Sequence, residues 1–404
     1  MTAVQNELAC LRGQSNENIA RHFFDNFGVV AQLHLDGQLW LFDYDQLAAH
    51  KHRLTPVVME SRGLVLDSTT YEVIRRPFAR FFNIGEAAAY EADIDYTRLE
   101  ALEKADGSLV TLYFNDLTGH WHFGTRGTPF ADVNHRLGGR FYERVVRAAG
   151  LTGTPGTTAF DEVIAKTGAQ HHTTYLFEFI GPDNPHVTPH ATSELVFLGA
   201  RQRNGVELSP AEGLSFFDSL TGWNVRLPLR YPIPADLAGL SRQQQVEAIK
   251  TWVASDPTFK GLHEGVVCYD PVTGKRLKVK TPLYCAAHLQ GDGEGLNVSK
   301  ARIVELVVNG DAEEFCLYVP TLAGLVRKAE SQVAGFLDAL VPVWDIVKDI
   351  EDQKAFALAL QQHVPSNATA LFFLARKTGT TPHQAWLALP FNKQVSMADR
   401  VVSL

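Results

Sequence analysis

The chain has 404 residues, 45% of them apolar and 20% charged, with 31 Gly and 19 Pro. These values exclude collagenous, low-complexity and wholly disordered classes, and the length predicts two or three domains. Thirty-seven Lys and Arg against 45 Asp and Glu give a formal charge of -8, so the protein does not coat nucleic acid by bulk electrostatics, and any polynucleotide contact comes from a local patch. From about Leu33 to Lys280 the sequence reads as hairpins of short alternating strands with helical stretches between them. Leu33 to Phe42 has Asp36-Gly37 at its centre, the strongest short hairpin signal. Gly63 to Asp67 with Tyr71 to Arg75, Leu109 to Asn115 with His120 to Thr125, and Gly265 to Asp270 with Arg276 to Lys280 repeat the pattern across turn residues. Such a chain favours an antiparallel α+β architecture over a doubly wound parallel sheet. Leu151 to Thr158, small and polar, is read as a loop within that domain.

After Gly291 to Gly295 the strand pattern stops. Ser299 is read as the cap of a helix ending at Asn309-Gly310, and Asp311 with Glu314 resembles a capping box. Apolar residues from Leu322 to Leu340 recur at helical spacing, which reads as a packing stripe. Lys354 to His363, Ala368 to Lys377 and Pro382 to Leu389 also read as helices, the last with Pro in its first turn. The expected domains are therefore 1–290, antiparallel α+β, and 291–404, all helical. Cys10, Cys268, Cys285 and Cys316 form no C-x-x-C pair, which signals neither a disulfide framework nor a zinc ribbon and points to a reducing compartment. No basic leader with an apolar core opens the chain, and no run reaches about 18 apolar residues. The expectation is a cytoplasmic protein with no membrane association.

Chemistry concentrates in an ordered set of motifs. Glu103-Lys104-Ala105-Asp106-Gly107-Ser108 precedes a strong strand. Arg126-Gly127, the acidic strand from Tyr175 through Glu178 to Pro182, Glu264-Gly-Val-Val267 and Leu277-Lys278-Val-Lys280 follow in that order. A lone K-x-D-G is usually a surface turn, and alternating lysines on an edge strand usually face solvent to deter aggregation. The order of the set changes that reading. Glu178 sits inside Tyr-Leu-Phe-Glu-Phe-Ile, where a carboxylate is costly to bury without a partner. His171-His172 and the His186 and His190 pair are read as ordinary loop histidines.

With these residues the chain resembles the covalent nucleotidyltransferase superfamily of ATP-dependent ligases and capping enzymes. Upstream, Glu60-Ser61-Arg62-Gly63 and Arg76-Pro77-Phe78-Ala79-Arg80-Phe81-Phe82-Asn83 resemble the extra amino-terminal elements of the T4 RNA ligase 1 family. The resemblance covers roughly Ser61 to Thr281. The helical tail fits that family too, since DNA ligases and capping enzymes follow the K-x-K strand with an OB barrel, and no five-stranded pattern appears after Thr281. The resemblance implies an antiparallel-sheet adenylyltransferase domain, ATP with Mg2+ or Mn2+ as cofactors, and an RNA ligase acting through lysyl-AMP and RNA-adenylate. It implies single-stranded or broken RNA as partner, tRNA among the candidates, with end-healing kinase or phosphatase activities acting separately.

The resemblance also implies roles. Lys104 is the nucleophile and Lys278 and Lys280 flank the α-phosphate, the three forming the catalytic set. Arg62 and Arg80 hold the ribose and the β and γ phosphates, Phe82 packs near the nucleotide, and Glu103, Gly107 and Arg126 belong to the nucleotide-binding set. Glu178 binds ribose hydroxyls, and Glu264 and Asp106 orient a metal ion. Arg126 departs from the family's frequent lysine, keeping the charge but changing its geometry.

An amine that attacks phosphorus must be neutral, whereas a free lysine with pKa about 10.4 is neutral in only about one part per thousand at pH 7.4. Neighbouring cations, a metal ion and partial burial all disfavour ammonium. Pro271 to Thr281, with Lys275, Arg276, Lys278 and Lys280 and no acid, is the expected RNA patch. The alternatives are a DNA ligase, a GTP-using capping enzyme, and a catalytically silent RNA-binding repair scaffold that keeps the nucleotide pocket.

Overall fold

A computed structural model describes all residues except 47, 291–298, 319–321 and 365–367. The expected pattern break at Gly291 to Gly295 and the Glu314 side chain of the expected capping box lie outside the described residues. The strands form three sheets. In the first, β1 (Val29–His34), β2 (Leu39–Tyr44), β3 (Arg62–Asp67) and β4 (Val73–Arg75) lie in chain order. The expected Asp36-Gly37 turn joins the first two, with Leu35, Asp36 and Gly37 at φ 51°, 51° and 87°; this primed geometry matches the strand twist.

The remaining strands are β5 (Phe82–Asn83), β6 (Glu100–Glu103), β7 (Ser108–Asn115), β8 (His120–Thr125), β9 (Thr173–Ile180), β10 (Glu194–Gln202), β11 (Val225–Arg226), β12 (Arg230–Tyr231), β13 (Gly265–Tyr269) and β14 (Arg276–Lys280). They build a sheet of order β11-β10-β9-β7-β8 and another of order β12-β6-β13-β14-β5. Within these two sheets pairing is antiparallel except β10 with β11 and β14 with β5. The fold is α+β with mainly antiparallel sheets and a helical carboxy-terminal region, as the alternating strand pattern predicts.

Period-two patterning explains how β9 serves two environments. Tyr175, Phe177 and Phe179 enter a core shared with helices Phe141–Ala148 and Thr158–Ala165. Glu178 stands on the other parity, as does Ile180, which packs with Ala105 and Val196. The third sheet packs against helix Arg242–Ser255 through Val246, Ile249 and Val253.

Packing divides the chain into two units: Met1–Gly13, Ala31–Tyr44 and His52–His288 form the first, and Gln14–Val30, Asp45–Lys51 and Leu289–Leu404 the second. In the second unit, Ser299 caps helix Lys300–Asn309 by accepting from Arg302 N–H, and Gly310 ends it at φ 79°, as its sequence predicts. The apolar stripe falls on helix Ala323–Val347, which buries Val326, Ala329, Val333, Leu337 and Leu340. Helices Gln353–His363, Thr369–Thr378 and Pro382–Leu387 follow at the expected places. Helix Asn16–Phe27 belongs to this unit as well, with Phe24 meeting the His383 ring at 4.5 Å between centroids. No helix among the described residues is long and apolar enough to cross a membrane. None of the four cysteines forms a disulfide among the described residues, and only Cys10 is exposed.

Candidate active site

Strand register assembles the site. On the cleft face of the third sheet, residues two apart on neighbouring strands stand side by side. Gly265 pairs with Lys280 and its carbonyl accepts the Lys104 N–H at 3.0 Å. One step along, Val267 pairs with both Leu102 and Lys278. The first rung thus carries two lysines, Lys104 and Lys280, and the second an apolar floor edged by a third, Lys278. A cleft of about 320 Å3 lies over them, with Glu178, Arg62 and Leu198 also in its wall.

At the first rung, Lys104 Nζ lies 2.5 Å from Glu264 Oε1, and Lys280 Nζ lies 3.3 Å from the same oxygen. Glu264 is buried while both lysines keep partial exposure to the cleft. Lys278 makes no ion pair among the described residues and faces the cleft. Glu178 is half-buried in the cleft wall, and this burial pushes its carboxyl up to about 8; Lys104 and Arg62 oppose that rise while Glu264 and Asp106 add to it. Burial also lowers the Arg62 guanidinium. Its Nη1 is buried with no hydrogen-bond partner, and the residue lines the cleft, an arrangement that an anion would complete.

Other expected residues stand further back. Glu103 accepts Arg226 at 2.5 and 2.8 Å and the Leu229 N–H at 3.1 Å. Burial would raise its carboxyl, but these bonds outweigh it and hold the group below the usual glutamate value. Asp106 is buried and accepts Tyr284 O–H at 2.8 Å and the Thr188 N–H at 2.6 Å. With Glu264 it lines a neighbouring cavity of about 300 Å3 that also reaches Lys104. A Cβ at Gly107 would sit 2.2 Å from the Phe179 carbonyl oxygen, so tight strand packing demands glycine there. Arg80 and Arg126 lie 4.4 Å from the centroid of the Tyr44 ring, and Arg126 pairs with Asp43 at 2.8 Å. Burial favours neutral Tyr44, yet Arg126, Arg80 and Arg62 together lower its phenol.

Phe82 is 1% exposed, stacks beneath Arg80 at 5.1 Å and lies outside the cleft lining, where Phe78 and Phe81 stand instead. Sequence parity misleads here because Arg76 to Phe81 is an irregular segment and not a strand. Tyr284 is missed because it lies past the K-x-K strand, on helix Pro282–Gln290, where only the fold reveals its bond to Asp106. The expected RNA patch is largely neutralised. Lys275 pairs with Asp93 at 2.6 Å, Arg276 with Glu207 at 2.7 Å and Lys280 with Glu264.

No group of three or more His, Cys, Asp or Glu among the described residues is arranged to hold a metal ion. One or two carboxylates together with substrate phosphates nevertheless suit Mg2+, which keeps part of its water shell. Glu264 and Asp106, the expected metal pair, line one cavity with Lys104, and Glu178 faces the cleft that Lys104 also lines.

Residues 60–284, more than half of the sequence, match the RNA ligase family model of the T4 RNA ligase 1 type. The chain belongs to that family. A relative in Autographa californica nuclear polyhedrosis virus, named as a bifunctional polynucleotide kinase/RNA ligase, is 27% identical over 316 residues, covering 76% of this chain and 41% of the viral protein. The chain thus spans less than half the length of that curated relative. An archaeal ATP-dependent RNA ligase superposes with a TM-score of 0.44 at 16% identity, covering 88% of each chain. A Naegleria gruberi RNA ligase with PPi gives 0.37 at 15% identity, covering 52% of this chain and 57% of its own.

Proposed function

We propose that this member of the RNA ligase family is an ATP-dependent enzyme that joins 5′-phosphate and 3′-hydroxyl RNA ends in three steps. Lys104 attacks the α-phosphorus of ATP, forming a phosphoramidate and expelling pyrophosphate. The AMP then passes to the RNA 5′-phosphate, restoring the lysine. The 3′-hydroxyl attacks that 5′-phosphate, releasing AMP and forming the phosphodiester. The observation that carries this reading is the convergence of Lys104, Glu264 and Lys280 at one end of a cleft whose other end is apolar. Phosphates belong at the first end and the base at the second.

Glu264 holds the Lys104 amine in place and is the acceptor nearest its departing proton. Lys280, Lys278 and Arg62 face the charge that builds up on the phosphates, and cationic positioning is the main catalytic resource for phosphoryl transfer. Glu264 and Asp106 would hold Mg2+ or Mn2+, which when bound neutralises phosphate charge, and Glu178 faces the ribose. Asp106 supports the site through Tyr284 and Thr188. Glu103 and the Arg80, Arg126 and Tyr44 cluster brace its walls. Residues 1–290 supply the adenylyltransferase chemistry in this reading, and broken RNA, tRNA included, is the substrate class. The viral relative's name suggests that end-healing activities accompany such a ligase.

Intact mass spectrometry after incubation with ATP and Mg2+ tests the proposal. A covalent AMP adduct, reversed by pyrophosphate and lost completely in Lys104→Ala, is the expected outcome. No adduct across a range of pH and metals would turn the assignment toward an RNA-binding scaffold. Competition with GTP and with DNA ends separates the capping and DNA-ligase alternatives.

A further inference from the structure

The rungs of the third sheet continue past the base floor. Two residues beyond Leu102, Val267 and Lys278, Tyr269 pairs with both Glu100 and Arg276, about 7 Å further along the strands. This third rung floors a second cavity of about 470 Å3. Leu102, Leu198, Pro228 and Arg276 line both spaces, so the two share a wall at the apolar end of the cleft. The Arg276 guanidinium donates to Glu207 at 3.0 and 2.7 Å and lies 4.0 Å from the Phe78 ring centroid. Its charge is therefore compensated, and it stands as a fixed post between the cavities. Beyond it the lining is mixed: Phe197, Leu208, Leu214 and Leu227 give the annex an apolar share, and Glu100, Ser209 and Arg230 a polar one, with Glu100 and Arg230 paired to each other at 2.8 Å; Leu214 and Leu227 are 48% and 38% exposed.

A nucleotide with its α-phosphorus at Lys104 has its phosphates on the first rung. Its base is left the apolar residues further along, Leu102, Val267 and Leu198 among them, which turns the outer edge of the base toward the third rung. We propose that the annex is a subsite for apolar substituents on that edge, so the cleft accepts adenine nucleotides enlarged by a group of about benzyl size. This inference rests on the ligase reading. A preformed recess continuous with a base site gains affinity from each methylene that its apolar share, Phe197, Leu208, Leu214 and Leu227, covers.

The test measures covalent labelling of Lys104 by intact mass, using ATP and three analogues that carry a benzyl-type group at N6, C2 or C8. At least one analogue is expected to label the wild-type protein at a rate within about tenfold of ATP. Gly213→Trp fills the annex from helix Pro210–Ser219, where a Cβ would meet only Phe197 at 4.0 Å. Leu214→Trp is the second filling variant, in case the first does not fold. Each should keep ATP labelling within about twofold and lose labelling by the analogue by about twentyfold or more. Rejection of all three analogues by a protein that ATP labels would overturn the subsite, as would filled variants that still use the analogue. Failure of ATP itself to label would instead overturn the ligase reading.

Discussion

Glu178 shows how a single side chain couples chemistry to pH. Its ordinary value of 4.5 is pushed up to about 8 by burial, so the folded state binds the extra proton between those values. The carboxyl therefore favours the native state most below about 4.5, and that contribution fades as pH rises toward 8. Glu178→Gln should remove this loss, and melting temperatures of mutant and wild type will diverge with rising pH in the mutant's favour. If ionised Glu178 binds the ribose, AMP labelling of the wild type should climb as pH approaches 8. Glu178→Gln should flatten that limb and slow labelling about 10²-fold. A second residue obeys sterics alone. Gly107→Ala drives a methyl into the Phe179 carbonyl oxygen, and a loss of about 2 kcal/mol or more in urea unfolding is expected. The three cleft lysines and Glu178 were legible in the sequence because their motifs are local. Phe81 and Tyr284 were not, since their positions depend on an irregular segment and on a helix packed from elsewhere.

Between elements, one ion-pair system binds two sheets beside the nucleophile. Arg226 on β11 meets Glu103 on β6 and also Glu194 on β10. Glu103 is buried while Arg226 is about a third exposed, so solvent moderates the pair without dissolving it. Arg226→Ala leaves Glu103 without its bidentate partner and should cost about 2–3 kcal/mol in chemical denaturation. Adding Glu103→Gln should recover part of that loss, because the stranded charge is gone. Hairpins were readable from turn residues and alternation, which act over a few positions. The third sheet's order was not, since it brings β6 beside β13 across more than a hundred intervening residues, and only tertiary pairing settles such contacts. For the same reason the patch of four cations in Pro271 to Thr281 looked unopposed in sequence. Its acids, Asp93, Glu207 and Glu264, come from distant segments.

For the molecule as a whole, the sequence showed the helical region clearly from Ser299 onward. Nothing local marks Asn16–Phe27 as its companion, since an amphipathic helix does not announce which core it joins. Phe23 and Phe24 are 0% and 8% exposed, and the unit they help fill returns to the chain only at Asp45 and again at Leu289. A fragment beginning at Leu289 should therefore be poorly soluble and show weak near-ultraviolet dichroism, and supplying residues 1–51 in trans should improve both. The threading also constrains inheritance. A recombination event that shuffled residues Leu289–Leu404 alone would leave that unit unplugged, so this segment and Gln14–Val30 are bound to travel together.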